Sequence, residues 1–342
     1  MNVIAPSERL APKDYASDQE VRWCPGCGDY AILKAVQKTL ADAGADIDQT
    51  VFVSGIGCAA RFPYYLSTYG FHTIHGRAPA VATGIKLTNP ALDVWVVTGD
   101  GDGLSIGGNQ LLHALRRNVD MQILLFNNEI YGLTKGQYSP TSQVGTRSPS
   151  TPRGSLDRPI SAARFALGAG AGFLARGVDT QQKQLPEVLR RAHEHEGAAF
   201  VEVFQNCIVY NDGVFSNFTD RAVADERQIH LAHGEPLVFG KERDKGLRIK
   251  PGSLSLEVVQ LGESGLSESD LLVHDETDLM LAQALAAMEP PTMPVALGVI
   301  YCRNGPSYDR QVAARREEAS VDGGLAEIDA LLRQGHTWQV ED

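Results

Sequence analysis

Val96-Val97-Thr98-Gly99-Asp100-Gly101-Asp102 and, one helical segment later, Ile123-Leu124-Leu125-Phe126-Asn127-Asn128-Glu129-Ile130-Tyr131-Gly132 are two apolar runs, each ending in a polar, turn-prone cluster. Runs of this kind read as parallel strands buried on both faces. Between them Leu111, Leu112, Ala114 and Leu115 recur at helical spacing, and Arg116-Arg117-Asn118 closes that helix with cations suited to its negative end. The strand, helix, strand unit brings Asp100 and Asn128 to the carboxyl ends of neighbouring strands, where doubly wound sheets bind their ligands.

Working outward, Trp23-Cys24-Pro25-Gly26-Cys27-Gly28 forms a tight turn with two thiols, and Asp29 is the expected N-cap of a helix through Ile32, Leu33, Val36 and Leu40 that Gly44 stops. Val51-Phe52-Val53 is a short strand ending in Ser54-Gly55-Ile56-Gly57-Cys58. Phe71 to Pro79 reads as a turn-like passage into a helix that ends before Asn89-Pro90. Tyr138 to Pro159 has no hydrophobic period, and a loop of that length is expected as a lid or an interface. Helices from about Ala162 and from about Gln182 to His195 then alternate with strands near Phe173-Leu174-Ala175 and at Ala199 to Phe204, after which comes Cys207. From about Arg221 charged segments, a helix near Thr277 to Met288, the apolar run Val295 to Tyr301 and an acidic tail follow. The expected organisation is a polar arm over 1–20, an α/β domain with a doubly wound, mostly parallel sheet over 21–220, and a small C-terminal extension over 221–342.

A formal net charge of -11 argues against nucleic-acid or anionic-membrane surfaces, which need Lys and Arg. No apolar run approaches the ~20 residues of a membrane span, and Met1 to Glu20 has no secretory core, so a cytoplasmic location is expected. Five cysteines in a reducing compartment read as ligands or core thiols before disulfides, with Cys302 as the core thiol.

Gly99-Asp100-Gly101 with Asn127-Asn128 suits a metal-bound diphosphate. Asp100 offers a carboxylate oxygen, Asn128 an amide oxygen and a nearby backbone carbonyl a third, leaving octahedral positions for phosphates and water. The helix after Gly99 favours an anion at its start. The four thiols Cys24, Cys27, Cys58 and Cys207 follow separate turns and strands at the same sheet edge, which suits an electron-transfer cluster, while spacing alone leaves structural zinc open.

Taken together, Trp23 to Gly28, Gly55-Ile56-Gly57-Cys58, His75-Gly76-Arg77-Ala78, Gly99-Asp100-Gly101-Asp102, Asn127 to Gln137 and Cys207 resemble the β subunit of 2-oxoacid:ferredoxin oxidoreductases, most closely those acting on 2-oxoglutarate. The resemblance runs from about residue 18 to about 220. It implies a thiamine diphosphate-binding fold of the diphosphate type. It also implies Mg²⁺ on Asp100, Asn128 and the Ile130 carbonyl, cofactor contacts from Ile56, Gly57, Cys58, Ala59, His75, Gly101, Asp102, Gly132 and Leu133, and one [4Fe–4S] cluster on the four thiols. The implied reaction decarboxylates a 2-oxoacid, passes the acyl group to coenzyme A and the electrons to ferredoxin. An α subunit would supply the catalytic Glu and the pyrimidine half of the site, in an (αβ)2 assembly. Lys135 and Arg61 are our own candidates for substrate carboxylates, Arg by a bidentate fork and Lys as a point charge. The Arg61-Phe62-Pro63-Tyr64-Tyr65 stretch resembles the 2-oxoglutarate group; pyruvate, branched-chain 2-oxoacids and a non-redox thiamine decarboxylase with zinc are the alternatives.

Overall fold

The computed structural model describes residues 10–322, 330 and 332–340. Residues 1–9 of the expected arm and the end of the acidic tail lie outside the described residues. The chain runs through α1 (Asp29–Ala43), β1 (Thr50–Ser54), β2 (Tyr69–His72), α2 (Ala78–Thr88), β3 (Asp93–Gly99), α3 (Asp100–Leu104), α4 (Gly108–Arg116), β4 (Met121–Asn127), β5 (Ile130–Tyr131) and β6 (Gln137–Tyr138). It continues through α5 (Ala162–Gly168), β7 (Phe173–Val178), α6 (Gln184–Glu194), β8 (Ala198–Phe204), α7 (Ser216–Thr219), α8 (Ala224–Arg227), β9 (Gln228–His230), β10 (Val238–Phe239), β11 (Lys245–Ile249), β12 (Leu256–Gln260), α9 (Leu279–Ala286), β13 (Val295–Cys302) and α10 (Tyr308–Asp322).

Eight strands form one sheet in the order β2-β1-β3-β4-β8-β7-β13-β9. Neighbours are parallel except β13 against β7. Strand residues alternate between two cores: Val94, Val96, Ile123, Leu125 and Phe200 pack under α2, α4, α5 and α9 on one face. Trp95, Val97, Leu124, Phe126 and Val201 pack under α1 and α6 on the other. Covered on both faces, these central strands need the continuous apolar runs seen in the sequence. The chain steps from β1 outward to β2 and then back past it to β3, so the order reverses between β1 and β3 and opens a crevice at their carboxyl ends.

Several elements differ from expectation. The Phe71-His72 part of the passage read as a turn is the end of edge strand β2, paired with β1. Two helices, not one, join β3 to β4: the chain breaks between them because the loop before α2 crosses there, and a Cβ on Gly76 would lie 2.4 Å from the Gly107 Cα. Asp29 is not the cap of α1; Gly28 is, and Asp29 is the first helical residue with its side chain turned inward. The segment from residue 221 divides between two structures. β9 and β13 extend the main sheet, whereas β10, β11 and β12 form a separate antiparallel sheet.

Candidate active site

Loops from the carboxyl ends of β1, β2, β3 and β4 surround a cavity of about 440 Å³. Ile56, Gly57, Cys58, Ala59, His75, Gly101, Asp102, Gly132 and Leu133 all line it, together with Asp100, Asn128 and Ile130. Tyr131 was not foreseen: its ring covers Gly101 so closely that a Cβ there would lie 2.2 Å from it, and its hydroxyl donates to the Gly101 carbonyl at 3.0 Å.

Asp100 is buried, and one of its oxygens, Oδ2, accepts from the Ser139 hydroxyl at 2.6 Å and the Thr141 hydroxyl at 2.5 Å. Burial pushes its carboxyl up to about 6, against those hydroxyls, which favour the ionised form. Both hydroxyls come from the long loop after β6, so that segment is anchored on the carboxylate. Ser142 in the same loop donates to the Glu129 carbonyl at 2.5 Å. Beneath Asp100, three adjacent strands carry a buried polar row. Thr141 Oγ1 reaches Asn127 Oδ1 at 3.0 Å, Asn127 Nδ2 donates to Glu202 at 2.8 Å, and Arg176 Nε donates to Glu202 at 2.8 Å.

Asn128 Oδ1 accepts from the Ile130 N–H at 3.1 Å, a local turn in which Glu129 adopts a left-handed φ of 54°. Burial pushes the Glu129 carboxyl up to about 7. Asp102, besides lining the cavity, holds the surrounding loops. Its Oδ1 accepts from the N–H groups of Ile56 at 3.2 Å and Gly76 at 2.7 Å, and its Oδ2 from the Thr98 hydroxyl at 2.8 Å. It ties the loops after β1 and β2 to strand β3 in one cavity wall, and Gly55 is required because a Cβ there would lie 1.9 Å from the Asp102 carboxylate.

A second cavity of about 220 Å³ abuts the first and is lined by Cys24, Cys27, Cys58 and Cys207. The structure thus gathers thiols from positions up to 183 residues apart, and Cys58, Asn128, Gly132 and Leu133 belong to both walls. Among the described residues no three His, Cys, Asp or Glu close on one point as ligands of a single ion do. Burial raises the Cys27 thiol, and it pushes the Cys58 thiol up to about 12. Asp29 lies at this junction, lining the larger cavity, and burial pushes its carboxyl up to about 7, against the neighbouring Cys27 thiol, which favours the ionised form. Arg61 lines the thiol cavity. Lys135 lines neither; it is exposed just beyond Leu133 and Thr134, with a left-handed φ of 76°. Cys302 is half-buried far along the chain, 3.8 Å from His195 Nδ1.

Residues 55–203 match the thiamine pyrophosphate enzyme family, C-terminal TPP binding domain. The subunit KorB of a Mycobacterium tuberculosis 2-oxoglutarate oxidoreductase is 50% identical over 336 residues, covering 96% of this chain and 88% of that protein. The chain belongs to the β subunits of the 2-oxoacid:ferredoxin oxidoreductases. A second member of these β subunits, from Saccharolobus solfataricus, is 43% identical over 203 residues, 59% of this chain and 67% of that protein. A solved 2-oxoglutarate:ferredoxin oxidoreductase from Magnetococcus marinus, with 2-oxoglutarate, coenzyme A and succinyl-CoA bound, superposes with a TM-score of 0.76 at 33% identity, over 96% of this chain and 97% of that one. As a β subunit of this family the chain works as part of an oxidoreductase complex, and it carries a thiamine diphosphate-binding domain.

Proposed function

We propose that this β subunit serves a 2-oxoglutarate:ferredoxin oxidoreductase, which converts 2-oxoglutarate, coenzyme A and oxidised ferredoxin into succinyl-CoA, CO₂ and reduced ferredoxin. The observation that carries the reading is the shared wall: a diphosphate-type cavity and a four-thiol cavity meet at Cys58, Asn128, Gly132 and Leu133. Electrons released in one have a receiver in the next. The substrate choice is supported by the 50% identical relative and by the solved neighbour with 2-oxoglutarate bound.

The residues fit the groups. Asp100, Asn128 and the Ile130 carbonyl are hard oxygen donors at one side of the cavity and would hold Mg²⁺. Gly101, pinned under the Tyr131 ring, keeps the floor open to a diphosphate, and four thiols around one cavity would hold a [4Fe–4S] cluster. Thiamine diphosphate, when bound, supplies a carbon nucleophile and an electron sink for decarboxylation of a 2-oxoacid. This chain's part is to hold and shield: Asp102 keeps the loop amides in place, while Ile56, Ile106 and Leu133 give the cavity apolar walls. Arg61 at the thiol cavity and Lys135 near the mouth are the cations we assign to substrate carboxylates, with His75 on the cofactor. The catalytic Glu comes from an α subunit in an (αβ)2 complex, ferredoxin accepts the electrons, and the location is cytoplasmic. Among the described residues no helix is long and apolar enough to cross a membrane.

The test is an anaerobic assay of the two-subunit complex with coenzyme A, an electron acceptor and each 2-oxoacid, alongside iron and sulfide analysis. Preference for 2-oxoglutarate with iron and acid-labile sulfide each near four per β chain is expected; strong preference for pyruvate, or zinc without sulfide, refutes the assignment.

A further inference from the structure

Gln205, the first residue after β8, is 1% exposed and lines the thiol cavity. Its amide is fully used. Oε1 accepts from Asn128 Nδ2 at 2.7 Å, while Nε2 donates to Cys27 Sγ at 3.3 Å and to the Asn206 carbonyl at 2.6 Å. Its own N–H donates to the Asn127 carbonyl at 2.8 Å, which fixes it in the sheet beside the Asn127-Asn128 turn. One side chain therefore touches both a proposed Mg²⁺ ligand and a proposed cluster ligand. The bond to Asn128 takes up its amide nitrogen and so presents its oxygen to the Ile130 N–H and the cofactor cavity. The N–H directed at Cys27 sulfur withdraws charge from that thiolate, and hydrogen bonds to cluster sulfurs are among the levers that set a cluster's potential.

Resting on the cofactor reading above, we propose that Gln205 is a positioning residue that orients Asn128 for the cation and raises the reduction potential of the cluster held by Cys27. The chemistry needs an amide at this position. A carboxylate could accept from Asn128 but not donate to sulfur, and an apolar chain of equal length could do neither.

The experiment uses the anaerobically purified two-subunit complex carrying Gln205→Met or Gln205→Glu, with iron and sulfide content checked first. The cluster potential is read by dye-mediated titration with electron paramagnetic resonance, and Mg²⁺ affinity by calorimetry at saturating thiamine diphosphate. Gln205→Met is expected to shift the one-electron equilibrium about tenfold toward the oxidised cluster, about 59 mV. It should also weaken Mg²⁺ about 10- to 100-fold, the usual cost of losing a partner behind a metal ligand. Gln205→Glu is expected to lower the potential while keeping Mg²⁺ affinity within about threefold, because it loses the bonds to Cys27 and to the Asn206 carbonyl but keeps an acceptor for Asn128. An unchanged potential in both variants overturns the proposal. A wild-type complex with no cluster signal overturns the cofactor reading and the proposal with it, and the wild-type control alone tells the two failures apart.

Discussion

Glu202→Gln tests the polar row beneath the cofactor site most directly. Arg176 and Glu202 face each other across neighbouring strands β7 and β8, 2.8 Å apart, with side chains 7% and 2% exposed. Removing the charge of Glu202 leaves a guanidinium buried without its counter-ion, with the Phe204 ring, 5.6 Å from Arg176 Cζ, as partial compensation. Breaking a buried pair in this way costs about 3–5 kcal/mol. For a chain of 342 residues that corresponds to a fall in melting temperature of roughly 4–7 °C. Replacing both partners with apolar side chains, Arg176→Met with Glu202→Met, removes the uncompensated charge and should recover part of the loss, since Asn127 Nδ2 then gives up its bond to Glu202. Calorimetric melting of the assembled complex at matched scan rates measures all three proteins. A Glu202→Gln melt within 2 °C of wild type, or a double variant less stable than Glu202→Gln, would refute the argument.

Three further outcomes follow from the same geometry. Thr141→Val removes a hydroxyl from Asp100 and is expected to weaken Mg²⁺ about 10- to 100-fold by calorimetry, with recovery in Thr141→Ser; equal affinity in all three proteins would show that the loop does not orient the carboxylate. Asp102→Ala leaves two cavity-wall amides and a buried hydroxyl without their shared acceptor, and at about 1–3 kcal/mol per buried group should melt earlier than Asp102→Asn, which keeps an oxygen for both amides. At His193, burial lowers the imidazole pKa but the Asp93 carboxylate, 3.0 Å away, outweighs it and the net shift is upward. A raised folded-state pKa adds stability that is full below the unfolded value of about 6.5 and is lost as pH rises through the folded value. Asp93→Asn should therefore cost most at pH 5 to 6 and least at pH 8 and above; a pH-independent loss would count against it.

The strands were legible wherever burial on both faces forced continuous apolar runs, as in β3, β4 and β8. The polar clusters ending them were legible for a different reason: Gly99-Asp100-Gly101 alone is also an ordinary turn and helix cap, and its pairing with Asn127-Asn128 at the matched strand end pointed to a ligand. β2 was not, because its four residues Tyr69–His72 are all exposed and carry no pattern of burial to read. Asp29 misled because cap and first-turn acids look alike in sequence, and only the packed turn shows its carboxylate facing inward. Ser139, Thr141 and Gln205 escaped because their significance lies in what they touch across the fold. A hydroxyl-rich Ser139-Pro140-Thr141-Ser142 stretch just past the metal loop was the available hint.

The Asp102 carboxylate has one more consequence. The amides of Ile56 and Gly76 arrive from the loops that follow β1 and β2 and the hydroxyl of Thr98 from strand β3 itself, yet they converge on a single group. None of these loops can fluctuate open alone without abandoning a shared acceptor, so the cavity wall behaves as one cooperative unit with the strands that carry it. Hydrogen exchange at the Ile56 and Gly76 amides would then follow the rare opening of the sheet itself, so that breathing by a single loop would not admit water to the site.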